Sequence, residues 1–502
     1  MKMNTYSSES TTIPYSTFLE EQQQQIKNWL QKEYRDRPHG VSPEVIKKIL
    51  SKKPLSVSIP KQYGGRGGCI RESMGLLSTT AYESLPLSLL LGINMFLFLQ
   101  PVAKYADKDI QKSVFKNFLE SSHMGGLMLT EPDYGSDALN LKTSHSYGNN
   151  GYHIKGMKHW QGPTGLADYW LVASRKRLPS GELAADIDFF ISDGNQAEQG
   201  IEVQEYYDNL GLFMIPYGLN KIDIVVPERQ KLTSKGTGIK MMLDILHNSR
   251  LQFPGMAMGF LKRILDEAIQ HCTQRKVGGK SLHLYDNIQY QLAKLQYAYT
   301  LCSAMCTRSC KISGMDKNAS PHGLEANSMK ALITDLMQES AQILLQLNGS
   351  KGFRFSSKAG MSILDSRPFQ IFEGPNELLY NQIAETALRE MKFRKILNVF
   401  EYLSQAPRTG KASGFFKNEL DFTLYAEVPQ RKMILLGKMI AKVVASEYLM
   451  ELNNLGYNSQ LIESAQSLLH VELAKVACAY HPPKLGQFTV DYQENSNWLS
   501  FP

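Results

Sequence analysis

The spacing of apolar residues changes twice along this chain, and that change constrains the fold more than any other feature. Residues 16–120 show mostly helical spacing, as in STFLEEQQQQIKNWLQKEY. From about 124 to 245 the apolar residues alternate, and from 246 to 400 the helical spacing returns. We therefore predict an α+β fold in which a mostly antiparallel β-domain is inserted into a helical protein.

Turn residues support the β assignment of the middle region. In SYGNNGYHIKGMKHW a Gly-Asn-Asn-Gly turn separates two alternating runs, which predicts a hairpin. DYWLVAS, DIDFFIS and LNKIDIVVPE predict further short strands. The glycine-rich SIPKQYGGRGG lacks the spacing of a dinucleotide-binding loop, so a plain loop is expected there.

Four segments follow from this pattern. We expect an N-terminal helical domain (1–123), a middle β-domain (124–245), a helical bundle (246–400) and an additional C-terminal helical region (401–502). The last region opens with the linker-like SQAPRTGKASG and continues with apolar residues spaced for burial on one helix face.

Composition excludes several classes of protein. The formal charge of +7 comes from 55 basic and 48 acidic residues that are mixed along the chain, which does not favour a nucleic-acid binder. Six cysteines in 502 residues do not form a disulfide framework. Cys302, Cys306 and Cys310 share one helix face and indicate a packed seam in a reducing compartment. No metal site is expected.

The most apolar stretch is LPLSLLLGINMFLFL, from Leu85 to Leu99. It is too short to span a membrane, so we predict a buried core helix. The N-terminal MKMNTYSSESTTIPYS contains no apolar signal region. We therefore expect a soluble, cytoplasmic protein without a membrane span.

One acid stands at an unusual place. In FEGPNELLYNQIAE, Glu373 follows Ile371 and Phe372 and precedes Gly374-Pro375 and a helix. Apolar surroundings raise the pKa of a carboxylate, whereas a helix N-terminus lowers it, so the two together favour a general base. The alternative is an acid that only satisfies free N–H groups at the helix start.

Two further stretches offer ligand-binding groups. LMLTEPDYGSDALNLKT, residues 127–143, supplies Thr130, Ser136 and backbone amides that suit the edge of an aromatic heterocycle, although it is equally typical of a hydroxyl-rich turn. Trp160 is placed either to present a flat ring to a cofactor or to close the end of a strand in the core.

These stretches, together with IPKQYGGRGG, ADYWLVASR, QLNGSKGF and FQIFEGPNE, resemble in order and spacing the acyl-CoA dehydrogenases over about residues 50–400. That family consists of flavoproteins of α–β–α build. The resemblance implies FAD as cofactor and α,β-dehydrogenation of an acyl thioester to the trans-2-enoyl thioester. Glu373 matches the base that removes the α-proton while the β-hydrogen leaves as hydride to the flavin.

Other roles are also implied by the resemblance. Thr130 matches the threonine that hydrogen-bonds the flavin ring, and Trp160 matches the aromatic that packs against it. Ser136 matches a serine near the phosphates and the substrate, and Arg250 matches the arginine that faces the substrate's nucleotide end. Three further residues match the segments that hold the distal end of the flavin bound by a neighbouring subunit. They are Arg275, Gln346 and Gly349.

Several positions depart from the family pattern, and they concern the distal end of the cofactor and CoA recognition. They are Gly162, His247, Gly278, Asp286, Asn348, Ser350 and Pro375. An acyl-carrier-protein thioester is therefore as reasonable a substrate as acyl-CoA, because it lacks the nucleotide that the altered positions would meet.

The resemblance further implies a homodimer or homotetramer, electron-transfer flavoprotein as acceptor, and the Leu85–Leu99 helix as a wall of the acyl pocket. Two other functions remain open. One is an acyl-thioester oxidase that uses oxygen. The other, from a different class, is a non-catalytic acyl-thioester binding or assembly protein.

Overall fold

The computed structural model describes residues 13–33, 42–424 and 428–481. The first part of the chain is helical, as predicted. The α-helices among its described residues are α1 (Tyr15–Glu33), α2 (Pro43–Leu50), α3 (Ile70–Glu83), α4 (Leu85–Gly92), α5 (Gln100–Tyr105) and α6 (Lys108–Glu120). The glycine-rich stretch before α3 is a loop, which confirms that prediction.

The apolar stretch predicted as a core helix is helical throughout. Helix α4 continues through the π-helical segment Ile93–Leu99 into α5. Leu85–Tyr105 is long and apolar enough to cross a membrane by length and composition, yet 94% of its most apolar window is buried inside the protein. The predicted core helix is confirmed, but the expectation that it is too short to span a membrane is wrong, because the helix continues to Tyr105.

A seven-stranded sheet forms the middle of the chain. Its strands are β1 (Gly125–Met128), β2 (Ser144–Gly148), β3 (Gly151–His159), β4 (Tyr169–Lys176), β5 (Asp188–Asp193), β6 (Glu202–Tyr206) and β7 (Gly218–Val226). They run in the order β1-β4-β2-β3-β7-β6, and β5 pairs with β4. Only the pairs β1–β4 and β2–β4 are parallel in the described part of the chain. The predicted hairpin is β2–β3, in which Gly148 pairs with Gly151.

The second helical part is built around α7, which spans Gly238–Gln274 and packs against α3, α8 and α9. It thus begins several residues before the boundary predicted between 245 and 246. The following elements are the ribbon β8 (Lys276–Val277) and β9 (Lys280–Ser281), and helices α8 (Asp286–Ile312), α9 (Gly323–Asn348), α10 (Lys358–Ser366) and α11 (Asn376–Arg394). Cys302 is buried on α8 and donates to the carbonyl of Pro254 at 3.3 Å, as a residue of a packed seam would.

The C-terminal region adds α12 (Val399–Gln405), α13 (Lys417–Leu420), α14 (Gln430–Asn453) and α15 (Ser459–Tyr480). The stretch read as linker-like is instead packed on α14, so that interpretation is wrong. The backbone N–H groups of Lys411 and Ala412 donate to the Glu447 carboxylate at 3.1 and 3.0 Å, and Thr409 is buried. Its small residues allow the backbone to turn tightly against α14. The contact with Glu447 involves a residue far along the chain, so the local sequence does not reveal it.

Candidate active site

Glu373 lies in a left-handed turn between two helical segments. It follows the 3₁₀ turn Arg367–Gln370 and precedes α11. Its φ angle is 52°, and that of Gly374 is 94°. A side chain in the left-handed region costs on the order of 1 kcal/mol, so a glutamate is retained there only if surrounding contacts hold it.

Two buried cations hold this turn through consecutive carbonyls. Nε of Arg250, on α7, donates to the Glu373 carbonyl at 3.0 Å. Nζ of Lys330, on α9, donates to the Gly374 carbonyl at 2.7 Å. Arg250 is 7% exposed and Lys330 is fully buried. Both basic side chains therefore donate hydrogen bonds inside the protein to the backbone that carries the acid.

The carboxylate of Glu373 is bound on one oxygen only. The Ser249 hydroxyl donates to Oε1 at 2.9 Å, whereas Oε2 is buried without a hydrogen-bond partner among the described residues. The side chain reaches α7 and does not cap its own helix, since Oε1 is bonded to Ser249 and Oε2 has no partner among the described residues. The alternative of a simple helix-start acid is therefore excluded.

Burial raises the pKa of the Glu373 carboxyl above its ordinary value. Arg250, the Ser249 hydrogen bond and Lys330 act in the opposite direction and are outweighed. A carboxylate in this state is a stronger base than one in water. The arrangement thus provides an internal proton acceptor with one free oxygen.

Three phenylalanines form an apolar cluster beside the acid. Phe369 and Phe372 have ring centroids 4.9 Å apart, and Phe253 on α7 lies 5.9 and 6.0 Å from them. Phe253 and Phe369 are buried and Phe372 is partly buried, so the surroundings of the turn are apolar on this side. They are one physical source of the raised pKa.

Lys330 has further polar contacts on the same turn. Its ammonium group donates to Oδ1 of Asn376 at 3.0 Å, and Thr334 also donates to that oxygen, at 3.2 Å. Burial lowers the pKa of Lys330 to about 7, against the attraction of Glu373. The charge on this lysine therefore depends on pH near neutrality.

A second group of residues lies at the ends of β1 and β3. The Thr130 carbonyl, after β1, accepts the His159 N–H at 3.1 Å and Nε2 of Gln161 at 2.9 Å. Trp160 is left-handed with φ 59° and is 52% exposed. The structure thus brings Thr130 and Trp160 together, two residues that the sequence assigned to one cofactor ring.

Trp160 stands in an aromatic surface. Its ring lies 4.6 Å from Tyr207 and 5.9 Å from Tyr217, centroid to centroid. An exposed indole held in a strained backbone conformation next to a threonine fits a flat heterocycle that stacks on it. The core alternative for Trp160 is wrong, because half of this side chain is exposed. The residues present fit an isoalloxazine ring.

A buried ion pair supports the loop that follows Thr130. Nζ of Lys158 lies 2.9 Å from Oε1 of Glu131, which follows Thr130 directly. The Glu131 carboxylate also accepts the N–H groups of Lys142 and Thr143 at 2.6 and 2.9 Å. Both ends of the loop are thereby fixed on β3, and Ser136 is exposed between them.

The residues expected to meet the distal end of a cofactor are exposed together. Arg275 ends α7, and Gln346 and Gly349 end α9. The two helix ends adjoin, since His271 and Gln274 of α7 line the same groove as Leu344 and Asn348 of α9. A groove of about 920 Å³ opens beside them, lined by residues of α3, α7, α9 and α10.

Arg250 and His247 are inside the protein. The contacts of Arg250 described here are with Glu373 and with Asn327, whose Oδ1 accepts at 2.8 Å. Nδ1 of His247 donates to the carbonyls of Ala319 and Ser320 at 3.2 and 3.1 Å, and burial lowers the pKa of His247 to about 4. A neutral, bonded His247 holds a turn and adds no charge.

Gly162 departs from the family pattern for a visible packing reason. A Cβ at this position would approach Cγ2 of Ile215 to 2.6 Å, and Tyr217 and Ile93 would lie 3.1 and 3.3 Å from it. A serine or threonine would therefore require these neighbours to move. The hydroxyl usual there in the family has no room in this chain.

Sequence reasoning missed Ser249, Lys330 and Asn376. Ser249 has no distinguishing sequence signal, because it stands beside Arg250 in an ordinary helix. Lys330 had one: it is a single cation in the otherwise uncharged run ANSMKALIT. A lysine on a buried helix face requires a polar partner, and that rule would have selected it.

Comparison with known proteins agrees with this geometry. Three family models match consecutive parts of the chain: the acyl-CoA dehydrogenase N-terminal domain at residues 16–121, the middle domain at 126–223 and the C-terminal domain at 236–388. Together they cover more than half of the sequence. The chain belongs to the acyl-CoA dehydrogenase family, whose members are oxidoreductases that act on CH–CH groups.

Relatives whose names state different substrates are similar to this chain at low sequence identity. An acyl-CoA dehydrogenase of Bacillus subtilis is 24% identical over 67% of this chain and 87% of its own length. An L-prolyl-[peptidyl-carrier protein] dehydrogenase of Pseudomonas fluorescens is 24% identical over the same shares. The mitochondrial very long-chain specific enzyme of Mus musculus is 23% identical over 73% of this chain, which spans only 55% of that protein.

The fold is also similar to those of solved structures. An acyl-CoA dehydrogenase of Bacillus anthracis, solved in complex with FAD, superposes with a TM-score of 0.74 at 17% identity. The match covers 95% of this chain and 88% of that one. The additional C-terminal helices are therefore part of a fold that another protein shares.

Proposed function

We propose that this protein catalyses the FAD-dependent α,β-dehydrogenation of an acyl thioester to the trans-2-enoyl thioester, with Glu373 as the base. One observation carries the proposal. Glu373 is partly buried, the pKa of its carboxyl is raised, and its buried oxygen Oε2 has no partner among the described residues. FAD is the cofactor that family membership supports.

Glu373 performs the proton transfer in this reaction. Its free Oε2 accepts the α-proton, while Ser249 keeps Oε1 bound and the side chain in one orientation. The phenylalanine cluster excludes water, so the proton stays on the carboxyl. Arg250 and Lys330 keep the backbone of the turn in place during the transfer.

Thr130 and Trp160 would bind the flavin ring. FAD, when bound there, supplies the acceptor for the hydride that leaves the β-carbon. The Trp160 indole presents its face for stacking, and Thr130 supplies a hydroxyl at the ring edge. Ser136, exposed in the anchored loop, is available to the phosphates and the substrate.

Arg275, Gln346 and Gly349 would hold the distal end of the FAD of a second copy. They are exposed beside a groove at the adjoining ends of α7 and α9. This supports a homodimer or homotetramer in which each subunit completes its neighbour's cofactor site. Arg250, which was predicted to face the substrate's nucleotide end, is buried and instead fixes the turn of Glu373.

The carrier of the acyl group is CoA or a carrier protein. The altered CoA-facing positions, with His247 neutral and turned inward, support a carrier protein. Electron-transfer flavoprotein or oxygen would then reoxidise the flavin. Six free cysteines support a reducing, cytoplasmic location.

A single experiment tests the proposal. Purified protein is incubated with FAD, desalted and titrated anaerobically with acyl-CoA and acyl-carrier thioesters of several chain lengths. Loss of the flavin absorbance with one class of thioester supports the enzyme and identifies its carrier. Protein that stays colourless would instead support the non-catalytic binding function, and rapid recolouring in air would support an oxidase.

A further inference from the structure

A helix outside the matched family domains reaches the catalytic segment. The C-terminal family match ends at residue 388, and α14 begins at Gln430. Helix α14 nevertheless packs along α11, the helix that follows Glu373, and also contacts α8 and α9. The question is whether this contact is general packing or a specific support.

The two helices approach each other closely at Gly437. A Cβ at this position would lie 1.9 Å from the carbonyl oxygen of Tyr380 and 2.9 Å from its Cα. Only glycine lets the two helix backbones approach to this distance, although glycine inside a helix costs about 1 kcal/mol relative to alanine. The next residue, Lys438, places Nζ 5.4 Å from the centre of the Tyr380 ring.

Tyr380 links α14 to Asp335 by a hydrogen bond. The tyrosine is 2% exposed, and its hydroxyl donates to Oδ2 of Asp335 at 2.8 Å. The other oxygen, Oδ1, accepts the side-chain amides of Gln370 and Asn376, both at 2.7 Å. Gln370 stands three residues before Glu373 and Asn376 three residues after it, so one carboxylate binds both flanks of the base.

We propose that Gly437, Tyr380 and Asp335 are positioning residues for Glu373, and that α14 is a structural support of the active site. Helix α14 packs against Tyr380 and holds it in place. Tyr380 then orients Asp335, and Asp335 binds Gln370 and Asn376 at the two ends of the turn that contains Glu373. The additional C-terminal region then contributes to catalysis without touching the substrate. The inference rests on the proposed function for its catalytic consequence, but its structural part can be measured without it.

The test compares two variants with matched controls in the full-length, FAD-loaded protein. Tyr380→Phe removes the bond to Asp335, and Tyr402→Phe removes a comparable hydroxyl bond, to Glu390 at 2.9 Å. Gly437→Ala forces α14 away from α11, whereas Gly414→Ala adds a methyl group where no atom lies within 4 Å.

Amide hydrogen exchange gives a readout that is independent of activity. Both test variants should exchange about tenfold faster in the peptide around residues 370–380, the factor expected for the loss of one buried hydrogen bond, and the controls should not. Anaerobic flavin reduction should slow by a similar factor with an unchanged dissociation constant for the thioester.

The outcomes separate the two proposals. Unchanged exchange around residues 370–380 in both test variants, or equal acceleration throughout the chain, would overturn the positioning role. If the parent protein is not bleached by any thioester, the proposed dehydrogenation fails, while the exchange result still decides whether α14 supports the turn.

Discussion

The Ser249 hydroxyl donates to Oε1 of Glu373 across 2.9 Å and joins the long helix α7 to the turn before α11. These residues are far apart in the chain, and only one oxygen of the carboxylate is satisfied by the contact. The bond leaves Oε2 as the site for a proton. The first two predictions follow from this asymmetry.

Glu373→Gln should remove most turnover and leave FAD bound. The amide keeps the shape and the Ser249 contact but cannot accept a proton, so anaerobic flavin reduction should fall about a thousandfold, within the range for loss of a general base. The control is Glu377→Gln, which changes an exposed acid in the first turn of α11. Near-normal reduction in the Glu373 variant would show that another group is the base.

Ser249→Ala should shift the pH dependence of flavin reduction upward. The hydrogen bond stabilises the charged carboxylate, so its loss raises the pKa of Glu373 further, by about one unit for a bond to a charged group. The rate, which requires the ionised form, should then reach its half-maximum at higher pH. Ser303→Ala, which removes a hydroxyl bonded at 3.0 Å within α8, is the control. An unchanged midpoint would contradict the role of Ser249.

Lys330 should make the stability of the protein rise with pH. Its pKa is about 7 in the folded protein and 10.5 for an ordinary lysine, so between these values the unfolded chain holds a proton that the folded chain lacks. Stability should therefore increase with pH across this window, by about 1.4 kcal/mol per pH unit, and be lost as pH falls toward 7.

Denaturant unfolding of Lys330→Met at several pH values checks this prediction. The variant should lose that increase with pH, because it has no lysine to deprotonate on folding. Lys262→Met removes a lysine that is 43% exposed and should keep the dependence of the parent protein. Equal slopes in all three proteins would mean that Lys330 stays charged when buried.

Trp160→Ala should weaken FAD binding about tenfold through the loss of ring stacking. Fluorescence titration of the apoprotein with FAD measures the change. Tyr147→Ala is the control, because Tyr147 is also an exposed aromatic of the sheet, at 61%, but lies on β2. Equal affinity in the Trp160 variant would remove this residue from the flavin site.

The local sequence was sufficient to predict the helices and strands and to recognise the family. The switch between helical and alternating spacing identified the inserted sheet, and the Gly-Asn-Asn-Gly turn located the β2–β3 hairpin, because these patterns act within a few residues. The stretch around Gly410 shows the limit. It has the composition of a linker, but Glu447 binds its backbone amides from a helix far along the chain.

The sequence by itself determined the order of helices and strands and the place of Glu373 before a helix. It also identified Trp160 as an aromatic residue that could face a cofactor. Each depends on neighbouring residues, which fix local conformation. The tertiary structure decided which oxygen of Glu373 is free, which cations hold its turn, and how α14 reaches it through Tyr380. Those contacts join helices distant in the chain, and their burial, which sets the pKa values of Glu373 and Lys330, exists only when the helices pack.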